Sequence, residues 1–507
     1  MDIALIHPPV SRPCEPPAGL AKLAGALKDH GKSCLIIDAG IEGPLSLLNG
    51  TRTAQDTWTR RAVMHREENL AAVRAMDTYR SMGRYTRAVN DLNRILQAEG
   101  ERYNTLLSLH NFQHNSLSPV RSEDLVRSAE QPEGNVFFPY FEKRFSSMME
   151  DHAPGMVGFS LNYLGQALTT FAMIGFLKRL DPGVRIILGG GLVTSWMRRP
   201  GRSISFAGLV DEMVDGPGEG RILGLLGSGY SERDSLPDYD SFPDNDYFSP
   251  GRVLPFSASS GCYWGRCSFC PEKAEGNPYS CIPAEAVPSS LDMLAEKNDP
   301  CLIHICDNAL SPALLKAMAR RETGVPWYGF ARFTRHLTDP DFCRTLRNSG
   351  CVMLKLGLES GDQKVLDELG KGIRLDEAAR ALKALTEAGI ATYAYLLFGT
   401  PAENREGARK TLDFIAENSS SIDFLNISIF NLPRDSAEAT GLKTYEFSEG
   451  DLSLYQGFVH PKGWDRNKVR QFLDKEFKRH PAIAGIVRRD PPVFTSNHAP
   501  FFVMKRE

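Results

Sequence analysis

Three of the chain's ten cysteines, Cys262, Cys267 and Cys270, fall within nine residues of the stretch SASSGCYWGRCSFCPEK, residues 257–273. Thiols that crowded form a disulfide knot, hold zinc or hold an iron–sulfur cluster. Zinc takes four ligands, commonly as two pairs. Cys281, with ten residues between it and Cys270, could be a fourth. Iron–sulfur clusters take thiolates at close loop spacings. Three cysteines on one loop would leave one iron of a 4Fe–4S cluster open to another ligand. Cys34, Cys301, Cys306 and Cys351 lie in apolar strand runs, where a thiol behaves as a small hydrophobe.

The bulk properties narrow the setting. A chain of 507 residues exceeds one ordinary core, so two or three domains are expected. Lys plus Arg total 59 and Asp plus Glu 62, giving a net charge of −3. That balance supplies no long-range attraction to nucleic acid or an anionic membrane. No apolar run reaches the ~18 residues needed to span a bilayer. The start, MDIALIHPPV, lacks the basic flank and apolar length of a secretory signal. The expectation is a cytoplasmic protein, where thiols stay reduced and clustered cysteines more often bind metal than pair.

The elements that must position the thiols read as two α/β domains. DIALIHPP and KSCLIIDAG are strand runs, with the helical pattern AGLAKLAGALKDHG between them, a βαβ unit of a parallel sheet. From about 51 to 150 the alternation breaks. Apolar residues from Leu70 to Leu96 recur every three or four positions, which predicts an inserted amphipathic helix or helix pair, either a packing cap or a substrate-binding subdomain. The alternation resumes with MVGFSLNY, QALTTFAMIGFLKRL, VRIILGGG and GLVDEMVDGPGEGRILGLL. Residues 1–225 are therefore expected to form a doubly wound sheet, with ligand loops at the carboxyl ends of its strands. Those loops are Pro16–Gly19, Ser160–Asn162, Gly189–Gly191 and Gly216–Gly220. A nicotinamide fingerprint should follow the first strand, and HPPVSRPCEPPAG is not one.

Residues 226–252, rich in proline and acidic side chains, read as a linker. Then come six strand runs, VLPFSAS, CLIHICDN, PWYGFARF, CVMLKLGLESG, ATYAYLLFGTP and IDFLNISIFNLP, with helical patterns between them. Six repeats are short of the eight of a closed barrel. Sites in such folds lie at the carboxyl ends of the strands, and the cysteines follow the first one. Residues 253–435 are thus a partial barrel, and 436–507 a mixed C-terminal region without cysteine.

The second domain resembles the radical S-adenosylmethionine (SAM) superfamily. Its signature is C-x3-C-x2-C after the first strand of a six-stranded partial (β/α)6 barrel, with an aromatic residue before the last cysteine. Here Phe269 precedes Cys270, and four residues rather than three separate Cys262 from Cys267. LGLESGDQKVLDELGKG and LLFGTPAEN are similar to the fourth- and fifth-strand segments of that barrel. The resemblance implies a 4Fe–4S cluster on Cys262, Cys267 and Cys270. It implies SAM contacts at Phe269, Glu359, Ser360 and Gly399, with Phe269 near the adenine and Glu359 on the amino or ribose part. The first domain resembles the Rossmann-like cobalamin-binding domain that precedes the barrel in one large subgroup. That likeness implies cobalamin contacts at Gly19, Ser160, Gly189, Gly190, Gly191 and Glu219. The D-x-H-x-x-G motif that supplies a lower axial histidine is absent, so any bound cobalamin is expected to lack a histidine from this chain.

The chemistry so implied is reductive cleavage of SAM to a 5′-deoxyadenosyl radical, hydrogen abstraction from an unactivated carbon, and methyl transfer through cobalamin. The expectation is a cobalamin-dependent radical SAM methyltransferase acting on a small molecule or peptide. Its electron donor would be of the flavodoxin or ferredoxin type, and it would have no nucleic-acid or membrane partner. A radical SAM enzyme with a degenerate cobalamin domain, catalysing cyclisation or rearrangement, is the alternative with the same cluster. A non-catalytic zinc-binding protein is the alternative of another class.

Overall fold

The structure, a computed structural model, describes residues 1–50, 56–199, 204–229, 235–320, 324–446, 450–492 and 498–503. It divides into two compact units. One runs from Met1 to Val253 and takes in residues 450–453; the other begins at Leu254 and includes Leu454–Pro491.

The first unit is built on five strands: β1 (Ile3–His7), β2 (Cys34–Asp38), β3 (Met156–Ser160), β4 (Arg185–Gly189) and β5 (Glu212–Met213). Their order is β2-β1-β3-β4-β5, and every pairing is parallel. All five residues of β1, IALIH, are buried, as expected of a central strand covered on both faces. The strand order reverses between β1 and β3, which opens a crevice at their carboxyl ends.

The insertion is more elaborate than a helix or helix pair. It contains helices Thr57–Met64, Arg66–Arg74, Met82–Arg102, Ser122–Glu130 and Phe138–His152, and a hairpin of Thr105–Leu107 with Phe112–His114. The run from Leu70 to Leu96 is not one helix, because a 3-10 turn at Met76–Arg80 interrupts it. The periodicity survives the break because Tyr79 stays buried, donating its hydroxyl to the Val73 carbonyl at 3.0 Å.

The proline-rich stretch before residue 253 packs as part of the first unit. Asp238 N donates to Ala21 O (2.9 Å) and Phe248 N to Pro13 O (2.7 Å). Tyr247 donates its hydroxyl to Asp38 Oδ2 at 2.6 Å, and Tyr239 and Phe248 are buried.

The second unit is a six-stranded sheet: β6 (Val253–Phe256), β7 (Leu302–Leu310), β8 (Trp327–Ala331), β9 (Cys351–Glu359), β10 (Ala391–Phe398) and β11 (Phe424–Ile429). The strands lie in chain order, and the pairings from β7 to β11 are parallel. Helices Val287–Asn298, Pro312–Ala319, Pro340–Asn348, Leu375–Glu387 and Arg405–Glu417 fill the crossovers. The first of these is passed over by the sequence reading. It buries only Val287, Pro288, Leu291, Leu294 and Asn298 and opens on a proline, so its apolar stripe is thin. In the C-terminal region Leu432–Pro433, Tyr455–Phe458 and Thr444–Tyr445 form a small antiparallel sheet.

Candidate functional site

The cysteine loop leaves the end of β6 and returns through a two-residue hairpin, in which Ser259–Ser260 pairs with Ser280–Cys281. Three barrel elements hold it. From the carboxyl half of β7, Asp307 accepts from Ala258 N (2.7 Å) and Ser259 Oγ (2.5 Å), and Asn308 Nδ2 donates to Gly261 O (3.2 Å). From the turn before the fifth strand, Leu369 O accepts from Ser268 N (2.9 Å) and Gly370 O from Trp264 Nε1 (3.0 Å). From the end of β8, Arg332 lies 4.2 Å from the Trp264 ring centroid. Gly372, at φ +67, lies so close to Trp264 that an added Cβ would stand 2.1 Å from the indole. Any side chain there would push the indole away.

Along this loop Cys267 is buried, Cys262 and Cys270 are half-buried, and all three thiols are free. Burial pushes the Cys267 thiol up, while the nearby Lys371 and Arg332 charges pull it back. Cys281 is exposed in the hairpin, paired with Ser259. Among the described residues no three His, Cys, Asp or Glu side chains close around a single ion. The donor set fits an iron–sulfur cluster: closely spaced free thiols on one loop, with two cationic side chains beside the innermost.

Glu359 ends β9 on the same side of the barrel. Its backbone is left-handed, φ 67, a costly conformation for a non-glycine residue that tends to persist at functional sites. Its Oε1 is 2.7 Å from Lys371 Nζ, and the two side chains are 12% and 7% exposed. The neighbouring Gly357 leaves room for this pair, since an added Cβ would stand 2.6 Å from Lys371 Nζ and 2.8 Å from Glu359 Oε1. Lys371 Nζ also lies 5.7 Å from the centroid of half-buried Phe269. Ser360 is placed differently from an open ligand contact. It is fully buried, and its hydroxyl is engaged by Thr411 Oγ1 (3.2 Å) and Asp362 N (3.1 Å).

Gly399 follows β10 at φ +76, and its amide donates to Glu403 Oε2 at 2.6 Å. Burial pushes the Glu403 carboxyl up to about 7 against the pull of this amide and of Trp464 Nε1, 2.9 Å from Oε2. His460 braces the same loop. It accepts from Lys462 N and Trp464 N at Nδ1 (both 3.2 Å), so Nε2 carries the proton and donates to Thr400 O (2.9 Å).

In the first unit the residues singled out at the sheet edge do come together. A Cβ on Gly19 would lie 4.0 Å from Ser160 Oγ. Ser160 Oγ accepts from Asn162 Nδ2 (3.0 Å), and Asn162 Oδ1 accepts from Gly191 N (2.9 Å). Leu161 N donates to Gly189 O (2.7 Å). Gly190, at φ +107, lies so near the Leu161 backbone that a Cβ would stand 2.4 Å from its carbonyl. Gly190 is thus required by the close approach of two loops, whereas Gly19 and Gly191 leave open surface. Glu219 is buried and pairs with Lys22 Nζ at 2.9 Å. These open backbone edges around a polar Ser–Asn pair fit a large cofactor with amide groups.

Sequence reasoning missed Arg332, Lys371, Trp264 and Glu403. The available signals were the arginine directly after a strand in GFARF, the lysine between two glycines in GKG, and the acid four residues after Gly399.

Residues 256–415 match the family model of the radical SAM superfamily. The match takes in most of the barrel, from the end of β6 into the helix Arg405–Glu417, and includes the cysteine loop. An uncharacterized methyltransferase of Pyrococcus horikoshii is 24% identical over 302 residues, 50% of this chain and 64% of that protein. The anaerobic magnesium-protoporphyrin IX monomethyl ester cyclase of Rubrivivax gelatinosus is 23% identical over 257 residues, 47% of this chain and 45% of that protein. The chain therefore spans less than two thirds of the length of either curated relative. The fold is shared with the radical SAM methyltransferase TsrM from Kitasatospora setae, solved with cobalamin and a [4Fe–4S] cluster bound. That match has a TM-score of 0.56 and 16% identity, and covers 97% of this chain and 92% of that one. Among the described residues no helix is long and apolar enough to cross a membrane.

Proposed function

We propose that this protein is a cobalamin-dependent radical SAM enzyme that methylates an unactivated carbon of a small molecule or peptide. The observation that carries the reading is the loop of three free thiols after β6, facing the Glu359–Lys371 pair across the strand ends of a radical SAM domain. When bound, the 4Fe–4S cluster, SAM and cobalamin would supply radical hydrogen abstraction and a transferable methyl group. Cys262, Cys267 and Cys270 would hold the cluster. Glu359 offers a carboxylate to a cationic amino group or a ribose hydroxyl, Phe269 an aromatic face to a base, and the turn at Gly399 a backbone edge.

In the first unit Gly19, Ser160, Gly189, Gly190, Gly191 and Glu219 would line the cobalamin edge. The names of a methyltransferase relative and of a methyltransferase sharing the fold support methyl transfer, while the name of the cyclase relative supports cyclisation as the second reading. A flavodoxin- or ferredoxin-type protein would supply the electron. The test is iron, sulfide and cobalamin analysis of protein purified without oxygen, followed by SAM turnover with a chemical reductant. Protein with bound zinc and no sulfide would overturn the reading.

A further inference from the structure

We infer that Arg332 is a positioning residue that sets the reduction potential of the group held by Cys267. The inference rests on the cluster reading proposed above. Arg332 closes the end of β8 and is only 6% exposed. A guanidinium cannot shed its charge and is costly to bury unless it is paired.

Its contacts are specific. Nη1 points to Cys267 Sγ at 3.8 Å, Nη2 donates to the Lys371 carbonyl, and the guanidinium lies on the Trp264 ring. A carbonyl, an indole face and a thiol are all neutral groups. Among the described residues no carboxylate pairs with Arg332; the nearby Glu359 is taken by Lys371. Arg332 also lies within hydrogen-bond reach of the Tyr263 hydroxyl, whose burial pushes its ionisation up, so the contact that carries negative charge once iron is bound is the Cys267 sulfur. Arg332 therefore holds a permanent positive charge 3.8 Å from the Cys267 sulfur.

The consequence is electrostatic. One-electron reduction adds negative charge to an iron–sulfur cluster. A fixed cation against a ligating sulfur stabilises the reduced state more than the oxidised one and raises the potential. The orientation is fixed by the Trp264 face and the Lys371 carbonyl, so the charge cannot swing away into solvent.

The experiment is a reductive titration of reconstituted full-length protein with dithionite or titanium(III), monitored by electron paramagnetic resonance, with iron and sulfide measured on each sample. Arg332→Gln, which keeps a donor and loses the charge, should hold full iron and sulfide yet be reduced with a tenfold smaller equilibrium constant, a fall of ~59 mV for a one-electron couple. Arg332→Lys should recover most of that shift. A fully loaded Arg332→Gln protein with the wild-type potential would overturn the inference. Should Arg332→Gln lose its cluster, Arg332→Lys decides: a loaded protein near the wild-type potential supports tuning, and an unloaded one makes Arg332 an assembly residue and overturns it. Wild-type protein without iron and sulfide would instead overturn the cluster reading itself.

Discussion

Lys371 Nζ lies 2.7 Å from Glu359 Oε1 at the carboxyl end of β9, with both side chains nearly buried. Removing one member of such a pair strands the other charge in a poorly solvated place, which costs about 3–5 kcal/mol. Lys371→Met should therefore destabilise the protein more than Lys371→Met combined with Glu359→Gln. Denaturant midpoints of Lys371→Met, Glu359→Gln and the double variant check this; additive losses would show that the two do not interact.

The same carboxylate should separate SAM binding from cluster binding. Glu359→Gln should weaken SAM binding at least tenfold while leaving iron content within a few per cent of wild type. Equilibrium dialysis with labelled SAM, alongside iron analysis, measures both. Equal loss of the two would make Glu359 a folding residue.

Single substitution of Cys262, Cys267 or Cys270 by alanine should abolish iron–sulfur absorbance and SAM cleavage. Cys281→Ala should leave both intact, because Cys281 is exposed in the hairpin. Loss of the cluster in Cys281→Ala would require a four-thiol site.

Cobalamin loading should respond to the first unit alone. Ser160→Leu should reduce bound cobalamin at least tenfold while iron and sulfide are retained. The cob(II)alamin resonance of wild type should lack nitrogen superhyperfine splitting. Splitting from one coordinated nitrogen would come from the cofactor's own dimethylbenzimidazole or from a histidine of this chain, and only a change of that splitting on labelling the protein's histidines with nitrogen-15 would make a histidine the lower ligand.

The contributions of Asp38 and Glu403 to stability should fall as pH rises from about 4 to 7. Burial raises Asp38 from 3.8 and Glu403 from 4.5, each to about 7. Between those limits the folded state holds more protons than the unfolded one, so each group's contribution is full at low pH and lost toward 7, at ~1.4 kcal/mol per pH unit. His7 works the other way. Burial pushes it from 6.5 down to about 4, so its contribution is lost as pH falls through that window. Burial lowers His110, His114 and His460 in the same direction as His7, so the test isolates one carboxyl. The change in urea midpoint from pH 5 to pH 7 should be more negative in wild type than in Glu403→Gln, and an equal change in both would show that Glu403 is not protonated in the folded state.

What was legible in the sequence was local. The thiols announce themselves because their spacing is written within nine residues, and the parallel strands because VRIILG and CVMLKLGLE are mostly apolar runs, interrupted by Arg185 and Lys355 and closed by Glu359 in the second. Arg332 and Lys371 stand 65 and 104 residues beyond Cys267, and only the barrel brings them to it. The hairpin at Thr105–Leu107 is three residues long, too short for alternation to register. The stretch before residue 253 has the prolines of a tether, yet Tyr239, Phe242, Tyr247 and Phe248 are buried. Four aromatics within the ten residues from 239 to 248 were the clue that the stretch docks.

The frame around the cysteine loop has one more implication. Its fastenings are the Asp307 carboxylate, the Asn308 amide, the Leu369 and Gly370 carbonyls and the Trp264 indole. None of these draws on a sulfur; of the contacts that hold the loop, only that of Arg332 reaches one, Cys267 Sγ. The scaffold and the metallochemistry are thus separable. Iron stripped by a chelator should leave a loop that still resists limited proteolysis, and the cofactor should be restorable to the same polypeptide without an unfolding step. A protein of this design tolerates oxygen damage to its inorganic part as a repairable injury, because the mould survives the loss of the casting.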